Sequence, residues 1–292
     1  MNTSFNKLGI LFLKLISRLP FFILYLLADL LFFILFYVVR YRRKVTQSNL
    51  TNAFPEKSIR ERRLIEKKYY KFLADMIIES LKMNSVTSEE IMKRCKINNP
   101  ELLRNHLNQG RSILMATGHY ANWEWGNMII PQVYSEKIVV IYKPLSNLLF
   151  GRHLNKMRSR FGSLMVPMKS TLRKIAELKN QLYIFFFTSD QTPSQHESQY
   201  FTDFLNQPTA VFLGLEKIAK KTNHPVMFLH INLLKRGFYE FTFSTIVEDP
   251  SKTKEFEITN FHTQKLEQII RQRPELWLWS HKRWKFNPNL NP

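Results

Sequence analysis

From Pro20 to Val39 the chain runs through 20 residues that are apolar except for Asp29, and Arg40, Arg42, Arg43 and Lys44 follow at once. A helix of that length reaches across a hydrocarbon core, so the fold must give this segment either a bilayer or a large apolar surface. It is too long for the apolar part of a secretory leader, and no small-residue cleavage site follows it. A carboxylate near its middle is costly in lipid and is kept only with a partner or close to an interface. A spanning helix, an in-plane anchor and a buried core helix all fit that pattern. The preceding stretch, Leu8 to Leu19, is apolar with Lys14 and Arg18 interspersed, which suits an interfacial position. Lys7, Lys14 and Arg18 nearly balance the four basic residues beyond the run, with a small excess that places the rest of the chain on the cytoplasmic side.

The 43 Lys and Arg residues against 23 Asp and Glu leave a net charge of +20. Such a surface attracts polyanions: nucleic acid, anionic lipid headgroups or an acidic carrier protein. The single cysteine, Cys95, rules out an intrachain disulfide. It lies among basic residues, but no catalytic cysteine signature surrounds it. With only 8 glycines, and no phosphate-cradling glycine loop, nucleotide chemistry is disfavoured. No Cys/His cluster has zinc-binding spacing.

Up to Gly110 the pattern is helical. Ser58-Ile59-Arg60-Glu61 is a capping box that opens a long helix. Thr87-Ser88-Glu89-Glu90 resembles a second one, and a further helix over 100–110 closes on Gly110. After Gly110, strands are expected at 112–117, 137–142, 182–188, 225–232 and 238–247. They alternate with helices at 123–132, 146–161, 170–180, 209–222 and 259–272. That alternation predicts an α/β fold: an N-terminal membrane helix and helical region, then an α/β domain with a largely parallel sheet. The expected division is an anchor over 1–44 and a body over 45–292, helical to about 110 and α/β from 111.

Ligands of such sheets bind beyond the carboxyl ends of strands, and His119 and Asp190 both follow predicted strands. In Gly118-His119-Tyr120-Ala121-Asn122-Trp123-Glu124 the histidine precedes a carboxylate by five residues. On one continuous helix the two side chains would stand about 140° apart. They meet only if His119 sits on the turn and Glu124 inside the next helix, for which Asn122 is a suitable N-cap. Glu124 would then fix one imidazole nitrogen and leave the other basic. The bland alternative is a structural histidine beside an unrelated acid. Arg152, Lys156 and Arg160 share one helix face, and Arg158 stands off it; they form an anion site or a solvated face. Asp190 holds an arginine or a substrate group, or merely caps a helix. The C-terminal Trp277-Leu278-Trp279-Ser280-His281-Lys282-Arg283-Trp284-Lys285 mixes aromatics and cations. That mixture suits base stacking or a membrane interface, with His281 structural by default.

Several separated elements together resemble one family. They are the His119 segment, Tyr142-Lys143-Pro144-Leu145-Ser146-Asn147 leading to Arg158-Ser159-Arg160-Phe161-Gly162, and Asp190-Gln191 after an apolar strand. Pro208-Thr209, Ala219-Lys220-Lys221-Thr222 with Pro225-Val226, and Trp279 to Lys285 complete the set. From Val45 to Lys285 the chain resembles the bacterial late acyltransferases of lipid A biosynthesis, the lauroyl and myristoyl transferase group of the lysophospholipid acyltransferase superfamily. One departure is Phe204-Leu205-Asn206-Gln207, where that family has an aromatic-aromatic-glycine element. The resemblance implies acyl transfer from an acyl thioester to a hydroxyl of a lipid A precursor or related glycolipid. The donor would be acyl carrier protein or coenzyme A. The setting would be the cytoplasmic face of a bacterial inner membrane, without metal or cofactor. His119 would be the general base and Glu124 its orienting acid, with Arg158 the first choice to stabilise the oxyanion. Substrate contacts are expected from Asn122, Lys143, Arg158, Arg160 and Asp190. An aminolipid or lysophospholipid acceptor stays open. A membrane-tethered nucleic-acid-binding protein is the rival of another class, but it explains neither the His119/Glu124 pair nor the α/β order.

Overall fold

The computed structural model describes residues 3–286. It opens with the helices α1 (Thr3–Ser17), α2 (Phe21–Phe33), α3 (Arg43–Ala53), α4 (Ile59–Lys82) and α5 (Ser88–Arg94). Then come β1 (Cys95–Ile97), α6 (Glu101–Asn108), β2 (Ile113–Thr117), α7 (Trp123–Val133), β3 (Lys137–Tyr142), α8 (Leu148–Arg158), β4 (Leu164–Pro167) and α9 (Thr171–Glu177). The remainder is β5 (Tyr183–Thr188), β6 (Phe201–Phe204), β7 (Gln207–Ala210), α10 (Gly214–Thr222), β8 (Val226–Lys235), β9 (Phe238–Val247) and α11 (Glu257–Gln272).

Seven strands form one sheet in the order β1-β9-β8-β2-β5-β3-β4. Every neighbouring pair is parallel except the β8–β9 hairpin. The central strands explain why the sequence reads as it does. β2 and β5 are buried on both faces and are therefore continuous apolar runs. β9 is covered unequally on its two faces and alternates instead. The five expected strands are present. The expectation missed β1 and β4, which are too short to carry a period, and the separate β6–β7 hairpin. That hairpin turns on Leu205 and Asn206 at φ of 52° and 62°, the paired positive φ of a tight I′ turn made here without glycine. The expected helix over 209–222 starts only at Gly214, because Thr209 and Ala210 pair with Thr202 and Phe201.

The Ser58 capping box is complete, with Glu61 N–H donating to Ser58 Oγ at 3.3 Å and Ser58 N–H to the Glu61 carboxylate at 2.7 Å. The long helix it starts, α4, is the bed for the apolar run. α2 continues through a π-type turn over Ile34–Val38, and Phe21–Val38 is one helical stretch long and apolar enough to cross a membrane. Its inner face packs on α4, where Leu24, Ala28 and Ile78 form a small buried cluster. Asp29 has a partner: Arg236, in the β8–β9 turn, donates to it at 2.7 Å and to Asp75 of α4 at 2.5 Å.

Candidate active site

β2 ends at Thr117, and the chain must then turn sharply under α11. Gly118 makes that possible: a Cβ there would lie 2.6 Å from Leu266 Cδ1 and 3.2 Å from the Asp190 carboxylate. The close approach lets the His119 backbone N–H donate to Asp190 Oδ2 at 2.8 Å. The loop then takes Ala121 through φ of 51°, a strained conformation for a residue with a side chain. Ala121 N–H is tied to Leu276 O at 2.9 Å, and Leu278 N–H to His119 O at 3.2 Å. Asn122 Oδ1 accepts from Trp125 N–H at 3.1 Å and so caps α7.

The carboxylate at the imidazole is Asp190, not Glu124. Asp190 follows β5, which pairs in register with β2 so that Thr117 faces Thr188; the two strand ends carry His119 and Asp190 side by side. Asp190 Oδ1 lies 2.6 Å from His119 Nδ1, and its Oδ2 also accepts from Trp277 Nε1 at 2.8 Å. Burial alone would raise the Asp190 pKa. The His119 charge and the hydrogen bonds from His119 and Trp277 outweigh it and hold the group at about 2. An ionised carboxylate only accepts, so Nδ1 carries a proton, and in the neutral imidazole Nε2 is the nitrogen that keeps the lone pair. Gln191 Nε2 sits 3.2 Å from Nε2 and donates to it, and the Trp123 ring meets the imidazole edge-on at 4.9 Å.

Glu124 lies in the first turn of α7 and is spent on a different cation. Its carboxylate binds Arg158 through both oxygens, with Nε to Oε2 at 2.7 Å and Nη2 to Oε1. Burial opposes the Arg158 charge, but Glu124 outweighs it and keeps the guanidinium above its ordinary pKa. The expected face of Arg152, Lys156 and Arg160 is therefore not the inward one. Arg152 and Lys156 are exposed, and Arg160 lies beyond the helix, bonded to the carbonyls of Met83 and Val86. Arg158, off that stripe, is the member that reaches the cavity.

That cavity has a volume of about 660 Å³ and is lined by His119 together with residues of β3, β5, α7, α8 and α10. Its lining combines the polar Lys143, Arg158, Lys169 and Gln191 with the apolar Ile138, Val140, Leu154, Leu172, Phe186 and Ile218. The size is that of a small-molecule site. Of the residues expected to touch substrate, Lys143 and Arg158 line it. Asn122 does not: it is fully buried and donates to Glu79 at 2.7 Å. Arg160 lies outside it, and Asp190 is turned to His119.

Three contributors were not legible as site residues: Gln191, Trp123 and Trp277. Gln191 had a signal, its place directly after Asp190. Trp277 and Trp279 are buried rather than set out for bases or lipid, and Tyr120 pairs with Trp277 as an antiparallel bridge. His281 accepts from Thr192 N–H at 3.0 Å, a structural role. Cys95 is buried, and burial pushes its thiol pKa well up, which is the opposite of an activated nucleophile.

A histidine whose Nε2 meets only the Gln191 amide, lining a largely apolar cavity on a mostly parallel α/β sheet, suits an acyltransferase. Residues 2–286 match the family described as bacterial lipid A biosynthesis acyltransferase, and the chain belongs to it. The chain is 20% identical over 283 residues to the lipid A biosynthesis palmitoleoyltransferase of Escherichia coli (strain K12), covering 96% of this chain and 90% of that protein. It is equally similar to a lipid A biosynthesis acyltransferase of Shigella flexneri. A lipid A biosynthesis acyltransferase of Haemophilus influenzae (strain ATCC 51907 / DSM 11121 / KW20 / Rd) is 22% identical over 278 residues, covering 93% of this chain and 85% of that protein.

Proposed function

We propose that this protein moves a fatty acyl chain from an acyl thioester to a hydroxyl of a lipid A precursor at the cytoplasmic face of the inner membrane. In this reading residues 1–44 supply the membrane contact and 45–292 the chemistry. The observation that carries it is the His119–Asp190 pair, with His119 lining the largely apolar cavity. The acyl chain lies along the apolar lining of the cavity with its thioester carbonyl beside His119. The acceptor hydroxyl replaces the Gln191 amide at His119 Nε2. As its oxygen attacks the carbonyl carbon, the proton passes to Nε2, and Asp190 stabilises the imidazolium. Collapse of the tetrahedral intermediate breaks the C–S bond, and the imidazolium proton goes to the leaving thiolate.

Arg158, held by Glu124, is the group closest in character to an oxyanion clamp. Its Nε and Nη2 are committed to Glu124, while Nη1 has no partner among the described residues. A preorganised cation at that place stabilises charge that develops only in the transition state. Lys143, Lys169 and Lys217 at the cavity suit the phosphate and acidic surface of an acyl carrier protein or coenzyme A donor.

The test is mass spectrometry of lipids after reaction with a carrier protein bearing defined chains. A tetra-acylated lipid A precursor is run beside aminolipids and lysophospholipids, with His119→Ala as control. Gain of one acyl unit by the precursor, lost in the variant, is the expected result. Gain on another lipid would refute the acceptor, and an active His119→Ala would refute the base.

A further inference from the structure

We propose that α1 and α2 lie flat in one leaflet of an anionic bilayer, as part of the folded body, and that α2 does not cross the membrane. This concerns the membrane contact alone and stands apart from the chemistry proposed above.

The first observation is that α2 and its π-turn are strapped to α4 along their whole length, antiparallel to it. Lys82 Nζ donates to Leu19 O at 2.9 Å, Tyr25 OH to Glu79 at 2.8 Å, and Arg236 joins Asp29 to Asp75. Further along, the Phe36 and Tyr70 rings meet at 5.5 Å, and Arg43 pairs with Glu66 at 2.7 Å. A crossing α2 has two ways to reach the lipid core. It can leave α4, which takes Tyr25 from Glu79 and Asp29 from Arg236 and opens the Leu24–Ala28–Ile78 cluster. Or it can take α4 along, which carries the exposed Lys67, Lys68 and Lys71 and the β8–β9 turn into hydrocarbon. An in-plane helix needs neither.

The second observation is what the straps leave outside. Phe22, Leu26, Leu30 and Phe33 are all more than half exposed and recur at helical spacing on the outer face of α2. Leu8, Leu11, Phe12 and Leu15 do the same on α1. A hydrophobic outer face this large marks a contact surface. Exposed cations flank α2 on both sides: Lys14 and Arg18 before it, Arg40, Arg42 and Lys44 after it. Apolar faces with basic flanks, on a chain of net charge +20, fit an anionic lipid surface.

The third observation ties this surface to the cavity. α1 packs against α8, which walls the cavity through Leu154, Asn155 and Arg158 and begins with the exposed Leu148 and Phe150. With α1 in the leaflet, the α8 wall of the cavity lies beside the lipid headgroups, where a lipid can approach it sideways.

The experiment uses the full chain bound to vesicles of phosphatidylglycerol and phosphatidylethanolamine. Phe22→Cys, Leu26→Cys, Leu30→Cys and Phe33→Cys are each labelled with an environment-sensitive fluorophore, Cys95 being buried. Depth is read with lipids carrying quenchers at different acyl positions. The expected result is the same shallow depth at all four positions, in the vesicle leaflet that faces the added protein. A profile deepest at position 30 and shallow at 22, with residues beyond 33 emerging in the other leaflet, would overturn the proposal. So would four labels left unquenched while the protein floats with the vesicles, or failure to float at all. Loss of acyl transfer in a correctly placed protein would instead count against the proposed function alone.

Discussion

Replacing Asp190 by asparagine separates the two candidate carboxylates by their consequences for one proton. Asp190 Oδ2 accepts from two donors, the His119 N–H and Trp277 Nε1–H, both at 2.8 Å, while Oδ1 faces His119 Nδ1 at 2.6 Å. An asparagine must place its oxygen on one side and its NH2 on the other. Setting NH2 against the two N–H donors leaves both without acceptors, at roughly 1–3 kcal/mol each for buried groups. Setting NH2 against Nδ1 costs far less, because the imidazole can move its own proton to Nε2 and accept at Nδ1. Asp190→Asn therefore folds with the ring in the tautomer whose cavity-facing nitrogen has no lone pair. The loss of rate for a base locked in the wrong tautomer is about 10³- to 10⁴-fold, or about 4–5.5 kcal/mol of barrier. Initial rates of acyl transfer under saturating donor and acceptor read this directly, with a thermal melt to confirm that the variant is folded. A folded Asp190→Asn enzyme within tenfold of the wild type would refute the assignment of Asp190 as the partner of His119.

Glu124→Gln keeps the histidine tautomer but loosens Arg158, so kcat should fall by about 10²- to 10³-fold, less than in Asp190→Asn. If Glu124→Gln proves the more damaging change, the oxyanion clamp outweighs the base. Gly118→Ala forces a methyl against Leu266 and the Asp190 carboxylate and should cost about 1–3 kcal/mol of stability; an unchanged denaturation midpoint would show that the loop can shift. Glu79, fully buried, is driven up from 4.5 to about 7 by burial, against the hydrogen bonds from Tyr239, Tyr25 and Asn122. Because its folded value is the higher one, its contribution to stability is complete below about 4.5 and is lost as pH rises through about 7. The stability difference between wild type and Glu79→Gln should therefore move against the wild type by up to roughly 3 kcal/mol between pH 4.5 and 8. Denaturant titrations at the two ends of that window check it, and a pH-independent difference would show that Glu79 is not protonated in the fold.

The sheet was readable because β2 and β5 bury both faces and so print as apolar runs, and the position of His119 at a strand end followed from that. Its partner was not readable. Sequence proximity favoured Glu124, five residues away, whereas the hydrogen-bonded carboxylate comes from 71 residues further on, through the parallel pairing of β2 with β5. Periodicity sees one helix at a time and carries no register between strands. The same limit misplaced the basic residues of α8, where counting every fourth residue found the exposed stripe and missed the inward Arg158. The Trp-rich C-terminal segment misled for another reason: aromatics beside cations look alike whether they serve a ligand or a core, and only the bridge from Trp277 to Tyr120 decides it.

Glu79 explains why the site and the apolar helices behave as one body. Its side chain accepts from Tyr25 of α2, from Tyr239 of β9 and from Asn122, the cap of α7, and its backbone oxygen accepts from Trp125 Nε1 at 3.1 Å. Asn122 is also the residue that follows the strained Ala121 in the His119 loop, so one buried carboxyl group restrains the loop from behind while holding α2 in place. A buried network of this kind is costly when any member is left unpaired. Pulling α2 away would free a tyrosine donor and unsettle the α7 cap at the same moment, three residues from His119. An apolar helix that served only as a tether would have no reason to share a polar joint with the His119 loop. Under the two proposals above, the joint lets the helix fix the height and tilt of His119 and its cavity above the lipid surface, so that binding to the leaflet and presenting His119 to an acceptor hydroxyl become a single geometric act.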